Sequence, residues 1–209
     1  MSLQQWEAQF ESFIAAELGT DAAHGLSHIK RVVSNARRLA ATENANPNVV
    51  IPAAWLHDCV SVPKNSPQRK MASRLAAERA GDYLREHGYN QALIPKIEHA
   101  IAAHSFSAEI PCETLEAKVV QDADRLDAIG AIGIARAILT GASMGAALYQ
   151  MGDPFANTRP LDDKSFTIDH FYVKLLKLEA MMQTDAGRSE ARQRTLFMEQ
   201  FLDQLQTEL

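Results

Sequence analysis

Ala53-Ala54-Trp55-Leu56-His57-Asp58 ends an apolar run on an imidazole and a carboxylate. A run of that kind is built for a helical core, where such groups are costly unless paired or bound to a metal. Two other segments carry the same conflict. His28 shares a helical stripe with Val32, Ala36 and Leu39, flanked by Ile29, Val33 and Ala40, and Asp124 lies within Val119-Val120-Gln121-Asp122-Ala123-Asp124-Arg125-Leu126-Asp127. Two His and two Asp brought to one point offer neutral nitrogen and anionic oxygen together, a donor set suited to a divalent cation. A metal held there would activate water.

Nearly every other segment also repeats at the helical period. Trp6, Phe10, Phe13, Ile14 and Leu18 form one stripe, and the His28 stripe ends near the break at Asn44–Pro47. Ile51-Pro52 is read as opening the helix that carries His57, stopped by Pro63 and the turn at Lys64–Pro67. A helix from Arg69 to His87 is capped by Gly88. Shorter helices follow over Ile94–Ala103, Glu113–Val120 and Arg125–Leu139, with Asp124, Ala128, Ala131 and Ala135 expected on one face. Residues 141–163 hold Pro154 and Pro160 and show no period. Helices over Ile168–Met182 and Arg188–Leu209 close the chain, the second with Leu196, Phe201 and Leu205 as its core stripe. Strand and hairpin signals are few. The expected fold is therefore all-α, one helical domain over residues 1–209, with its motifs in 21–136, a loop-rich insertion at 141–163 and closing helices at 168–209.

Composition narrows the function. The chain has 209 residues, 46% hydrophobic and 22% charged, as in an ordinary globular protein. A net charge of −5 argues against non-specific nucleic-acid binding, which needs a basic surface, but leaves room for a small phosphorylated substrate held by a local group of cations. No apolar run reaches membrane-spanning length, and the N-terminal stripe is broken by Glu7, Glu11 and Glu17, unlike a signal peptide. The two cysteines, Cys59 and Cys112, have no metal-binding or redox spacing. A cytoplasmic protein without a membrane partner is expected.

The order His28…His57-Asp58…Asp124 resembles the HD superfamily of metal-dependent phosphohydrolases. The stretches Ala103-His104-Ser105-Phe106 and Asp122–Arg136 resemble in particular its small single-domain bacterial members. The resemblance implies an HD-type helical bundle with His28, His57, Asp58 and Asp124 as ligands of one divalent ion, Mn²⁺, Mg²⁺, Fe²⁺, Co²⁺, Ni²⁺ or Zn²⁺. It selects Asp124 over Asp122, because the family's ligand precedes the arginine of Ala-Asp-Arg-Leu. It also implies hydrolysis of phosphoester or phosphoanhydride bonds, with nucleotides as substrates and nucleoside triphosphate pyrophosphohydrolysis among the reactions. Some HD enzymes carry a glutamate shortly after the His-Asp pair, and Cys59-Val60-Ser61-Val62-Pro63 has none.

Each residue also has a plainer reading. His28 alone fits a core histidine bonded to a carbonyl, His57-Asp58 a helix end, and Asp124 an N-cap. Asp58 or Asp127 is a candidate proton acceptor, with Asp127 alternatively orienting a ligand or pairing with Arg31. His104 is a candidate proton donor to the leaving group or a helix cap, and His99 is read as structural. His24 either touches substrate or holds a loop. Lys64, Arg125 and Arg136 are candidate phosphate cations, while Lys64 and Arg69 also fit solvated surface. Gly130 and Gly133 follow no strand and are read as close packing, and Cys59 as a buried, inert thiol. A non-catalytic metal-stabilised ligand-binding or interaction module is the alternative function.

Overall fold

The structure, a computed structural model, describes residues 1–18, 22–60, 62, 70–105 and 108–209; the side chains of residues 18 and 22–24 lie outside that description. The described chain is all-α. Its helices are α1 (Leu3–Leu18), α2 (Ala22–Glu43), α3 (Pro47–Leu56), α4 (Ala72–Glu86), α5 (Ile94–His104), α6 (Leu115–Leu126), α7 (Gly130–Ser143), α8 (Thr167–Val173) and α9 (Asp185–Glu208). The one extended pairing among the described residues is an isolated bridge between Ala147 and Phe166. No single helix among them is long and apolar enough to cross a membrane. The chain divides into two compact units, Met1–Asp124 and Arg125–Leu209.

The first unit is built around α3, which packs against α1, α2, α4 and α5. Every residue from Val49 to Leu56 is buried. The helix begins at Pro47, ahead of the expected opening at Ile51-Pro52. The Asn46 side chain accepts the Asn48 N–H at 3.0 Å, and Pro47 occupies the first turn, both favourable starts. Pro52 therefore sits inside the helix, where it removes one backbone hydrogen bond in a segment fixed by burial on all sides. Across from it, α1 buries Trp6, Phe10 and Ile14, with Trp6 stacked on Phe10 at 5.7 Å between ring centroids. Gly88, at φ +74°, follows the end of α4, a left-handed backbone that glycine adopts without strain.

Sequence periodicity placed a break between Val120 and Arg125, and the structure has none there. Helix α6 runs through Asp122 and Asp124 to Leu126, and the chain turns at residues 127–129 before Gly130, also at φ +74°. Tertiary contacts outweigh the weak helix propensity of Asp. Asn35 Nδ2 donates to the Ala123 carbonyl at 3.3 Å, and Gln121 Nε2 donates to the Ala103 carbonyl at 2.9 Å. Asp124 consequently shares its helix face with Ala117 and Val120, both buried, while Ala131 and Ala135 belong to α7.

In the second unit α7 packs against α8 and α9. A Cβ on Gly133 would lie 2.3 Å from the Ala128 carbonyl oxygen, and one on Gly141 would lie 2.1 Å from Thr167 Oγ1. Both positions need the missing side chain for close packing. Residues 144–166 are largely irregular but tied down: Arg159 clasps the buried Asp169 through both guanidinium arms at 2.5 and 2.8 Å, and the Asp162 N–H donates to the same carboxylate at 2.7 Å. The expected helix over Ile168–Met182 stops at Val173 and continues as two 3₁₀ turns, Leu175–Lys177 and Glu179–Met181. Thr184 then caps α9, its hydroxyl accepting the Gly187 N–H at 3.0 Å. The buried face of α9 is Ala191, Thr195, Met198 and Leu202, which corrects the expected stripe. Leu196 is exposed, and Phe201 and Leu205 are only partly covered. Small side chains at 191 and 195 let α9 approach its neighbour, so its larger apolar residues do not mark the contact.

Candidate metal centre

His28 comes from α2, His57 and Asp58 from the end of α3, His104 from the last turn of α5 and Asp124 from the last turn of α6. All five lie within the first unit. The Nε2 atoms of His28 and His57 face each other at 3.4 Å. Asp124 Oδ1 is 3.4 Å from His28 Nε2 and 3.9 Å from His57 Nε2; Asp58 Oδ2 is 3.6 Å from His57 Nε2 and 3.9 Å from His28 Nε2. The other oxygen of Asp58, Oδ1, lies 3.7 Å from His104 Nε2. One donor atom each from His28, His57 and Asp58 fits within a span of 4.8 Å, and Asp124 Oδ1 adjoins both histidines.

Backbone carbonyls decide which nitrogens are available. His57 Nδ1 lies 2.8 Å from the Ala54 carbonyl oxygen, and His104 Nδ1 lies 2.6 Å from that of Ile101. A carbonyl only accepts, so both rings carry a proton on Nδ1 and turn Nε2 toward the cluster. A carbonyl partner of this kind is the usual outer support of a ligating histidine. Imidazole nitrogens and carboxylate oxygens crowded at 3.4–3.9 Å call for a cation or proton between them. Two imidazoles and two carboxylates are the right chemistry for a divalent ion, and the residues fit one.

The electrostatics agree. Burial drives the His57 pKa below the ordinary imidazole value, outweighing the carboxylates that would raise it, so the ring is neutral and free to ligate. Burial opposes the charge on Asp124, but the hydrogen bond and charge of His28, followed by His57 and His104, hold its carboxyl well below the usual range. Asp58 is opposed in the same way by its loss of hydration and is held low by His57 and His104. Half of its side chain is nevertheless open to solvent, at 54% against 0% for His57, so the centre is sealed on the His57 side and open on the Asp58 side.

Other sequence candidates have their own partners. Asp122 is fully buried in the same helix. Asp127 is buried and ion-paired with Arg136 through a short Nη1–Oδ2 contact, and Arg125 donates to the Met181 carbonyl, all within the second unit. His99 Nε2 accepts the Glu113 N–H at 3.1 Å. Cys59 is buried with its thiol toward the Ala76 carbonyl at 3.4 Å, and burial, reinforced by Glu17, pushes its pKa up to about 12. Lys64 and Arg69, and the side chain of His24, lie outside the described residues. Sequence reading missed the supporting shell: Ala54 and Ile101 act through their carbonyls, which no residue type announces, and Gln121 was legible only as a polar residue in an apolar face.

Residues 25–129 match the HD domain family, a span that holds all five residues of the cluster. The chain is 35% identical over 191 residues to the uncharacterized protein YpgQ of Bacillus subtilis, covering 89% of this chain and 84% of that protein. The crystal structure of YpgQ in complex with ADP superposes with a TM-score of 0.79 at 32% identity, covering 100% of this chain and 97% of the other. An HD-superfamily hydrolase from Bacillus thuringiensis superposes with a TM-score of 0.78 at 33% identity, covering 99% and 98%. The chain thus belongs to the HD domain family.

Proposed function

We propose that the protein is a cytoplasmic, metal-dependent phosphohydrolase that cleaves phosphoester or phosphoanhydride bonds of nucleotides, with pyrophosphohydrolysis of nucleoside triphosphates as the leading reaction. The observation that carries this reading is the 3.4 Å approach of His28 Nε2 to His57 Nε2, with carboxylate oxygens on both sides. His28, His57, Asp58 and Asp124 would hold one divalent ion. Bound there, it supplies the Lewis acidity that lowers the pKa of water and draws charge from a phosphoryl oxygen. The ADP carried by the YpgQ crystal structure supports nucleotides as the ligand class.

The remaining groups divide the work. Asp58, on the open side, orients the attacking water. His104 Nε2, 3.7 Å from Asp58 Oδ1, accepts the water's proton and returns it to the leaving-group oxygen. Asp127 is a supporting carboxylate, ion-paired with Arg136, and the Lys64 ammonium offsets phosphate charge. Asp58's exposure favours catalysis over a purely structural metal, since closed structural sites exclude water and substrate. The test is a panel of mono-, di-, tri- and cyclic nucleotides on metal-depleted protein, repeated with Mn²⁺, Mg²⁺, Co²⁺ and Ni²⁺. Turnover that appears with metal supports the proposal. Silence across the panel with metal bound would favour the non-catalytic module.

A further inference from the structure

The second unit contains a cleft that shares no residue with the metal centre. Its volume is about 400 Å³, and it lies between α7 (Gly133, Arg136, Ala137, Thr140, Gly141) and the segment from Asp163 through α8 to Leu175. Small-molecule sites begin at about this size. In a chain of net charge −5, the wall presents Arg136, Lys164 and Lys174, together with His170. Among the described residues, neither lysine ammonium lies within salt-bridge distance of a carboxylate. Lys164 does share its field with Asp162, whose carboxyl it helps keep ionised. The single carboxylate of the wall, Asp163, is already engaged by His170 Nδ1 at 3.0 Å. The lining also includes small and apolar groups, Ala128, Ala137, Met144, Ala146 and Leu175.

A lining that combines Arg136, Lys164 and Lys174 with apolar groups and the Thr140 and Thr167 side chains suits a ligand that carries both anionic and organic parts. We infer that this cleft is a metal-independent binding site for a small organic phosphate, with Lys164, Lys174 and Arg136 facing the phosphate groups. Lysine serves here as a point charge and arginine as a planar fork, the two usual partners of phosphate oxygens. The Gly141–Thr167 approach holds α7 against α8, so the cations stand on a fixed frame rather than on a loop alone. This inference does not rest on the phosphohydrolase reading, because no metal ligand lines the cleft.

The experiment is a titration of the full-length protein in EDTA with a fluorescent ADP analogue, followed by displacement with pyrophosphate and with adenosine. Saturable binding without metal, displaced by pyrophosphate and not by adenosine, is expected. Lys164→Glu combined with Lys174→Glu, on the surface and verified to melt cooperatively, should weaken binding about tenfold or more. Asp124→Ala, in the metal centre, should leave this metal-free binding as it is. Absence of binding, or a double charge-reversal variant that binds like the native protein, would overturn the inference. Turnover with added metal is a separate readout, so failure here and failure of the proposed hydrolysis are told apart.

Discussion

His57 Nδ1 sits 2.8 Å from the carbonyl oxygen of Ala54, one turn back along the same buried helix. That hydrogen bond orients the ring, aims Nε2 at His28 and makes the centre a place for a cation. Removing the ring while keeping the volume should therefore break the centre. His57→Gln is expected to abolish stoichiometric metal binding, and His28→Ala and Asp124→Ala should do the same. Elemental analysis of purified variants checks this. Full metal retention in Asp124→Ala would remove Asp124 from the ligand set.

Asp127 is expected to act at one remove. It is buried and holds Arg136, so Asp127→Asn should retain metal while turnover drops by about 10–100-fold, the usual effect of disturbing a supporting residue. Metal content and kcat measured on the same preparation separate this from loss of a ligand.

How much of this was legible in the sequence differs from residue to residue. The cluster was readable because His28, His57-Asp58 and Asp124 each interrupt an apolar helical pattern, and a polar group in such a pattern needs a reason. The helix carrying Asp124 was misjudged because Asp122 and Asp124 look like breakers, and nothing local reveals that Asn35 and Gln121 pin that helix to its neighbours. The early start of α3 was hidden by Pro52, whose local cost is overridden by burial. On α9 the eye follows Leu196 and Phe201, while the contact face is set by Ala191 and Thr195.

That last correction has a measurable consequence. Leu202→Ala and Met198→Ala, both in the buried face, should each cost about 2–5 kcal/mol of stability. Leu196→Ala, on the exposed side, should change it by only about 0.5 kcal/mol or less. Denaturant melts of the three variants check the order, and a large loss at Leu196 would restore the stripe first read from the sequence.

The clasp between Arg159 and Asp169 predicts an acid limb. Burial works against the charge on Asp169, but the Arg159 guanidinium and the Asp162 N–H prevail, so its carboxyl lies below the ordinary range in the folded protein. A depressed folded pKa contributes stability that is complete above the unfolded value of about 3.9 and fades as pH falls through the folded value. Asp169→Asn should therefore be less stable than the native protein near neutrality and should lose less on acidification. Melting temperatures between pH 7 and pH 2.5 test this, and parallel curves for the two proteins would contradict it.

The central claim is that one divalent ion, held by His28, His57, Asp58 and Asp124, is required for nucleotide hydrolysis. Its most direct measurement is initial rate against metal added to depleted protein, with bound metal counted in parallel. Turnover should be absent without metal, rise in proportion to bound ion and level off at one equivalent per chain. Hydrolysis at full rate in metal-free protein, or none in protein carrying a full equivalent, would contradict it.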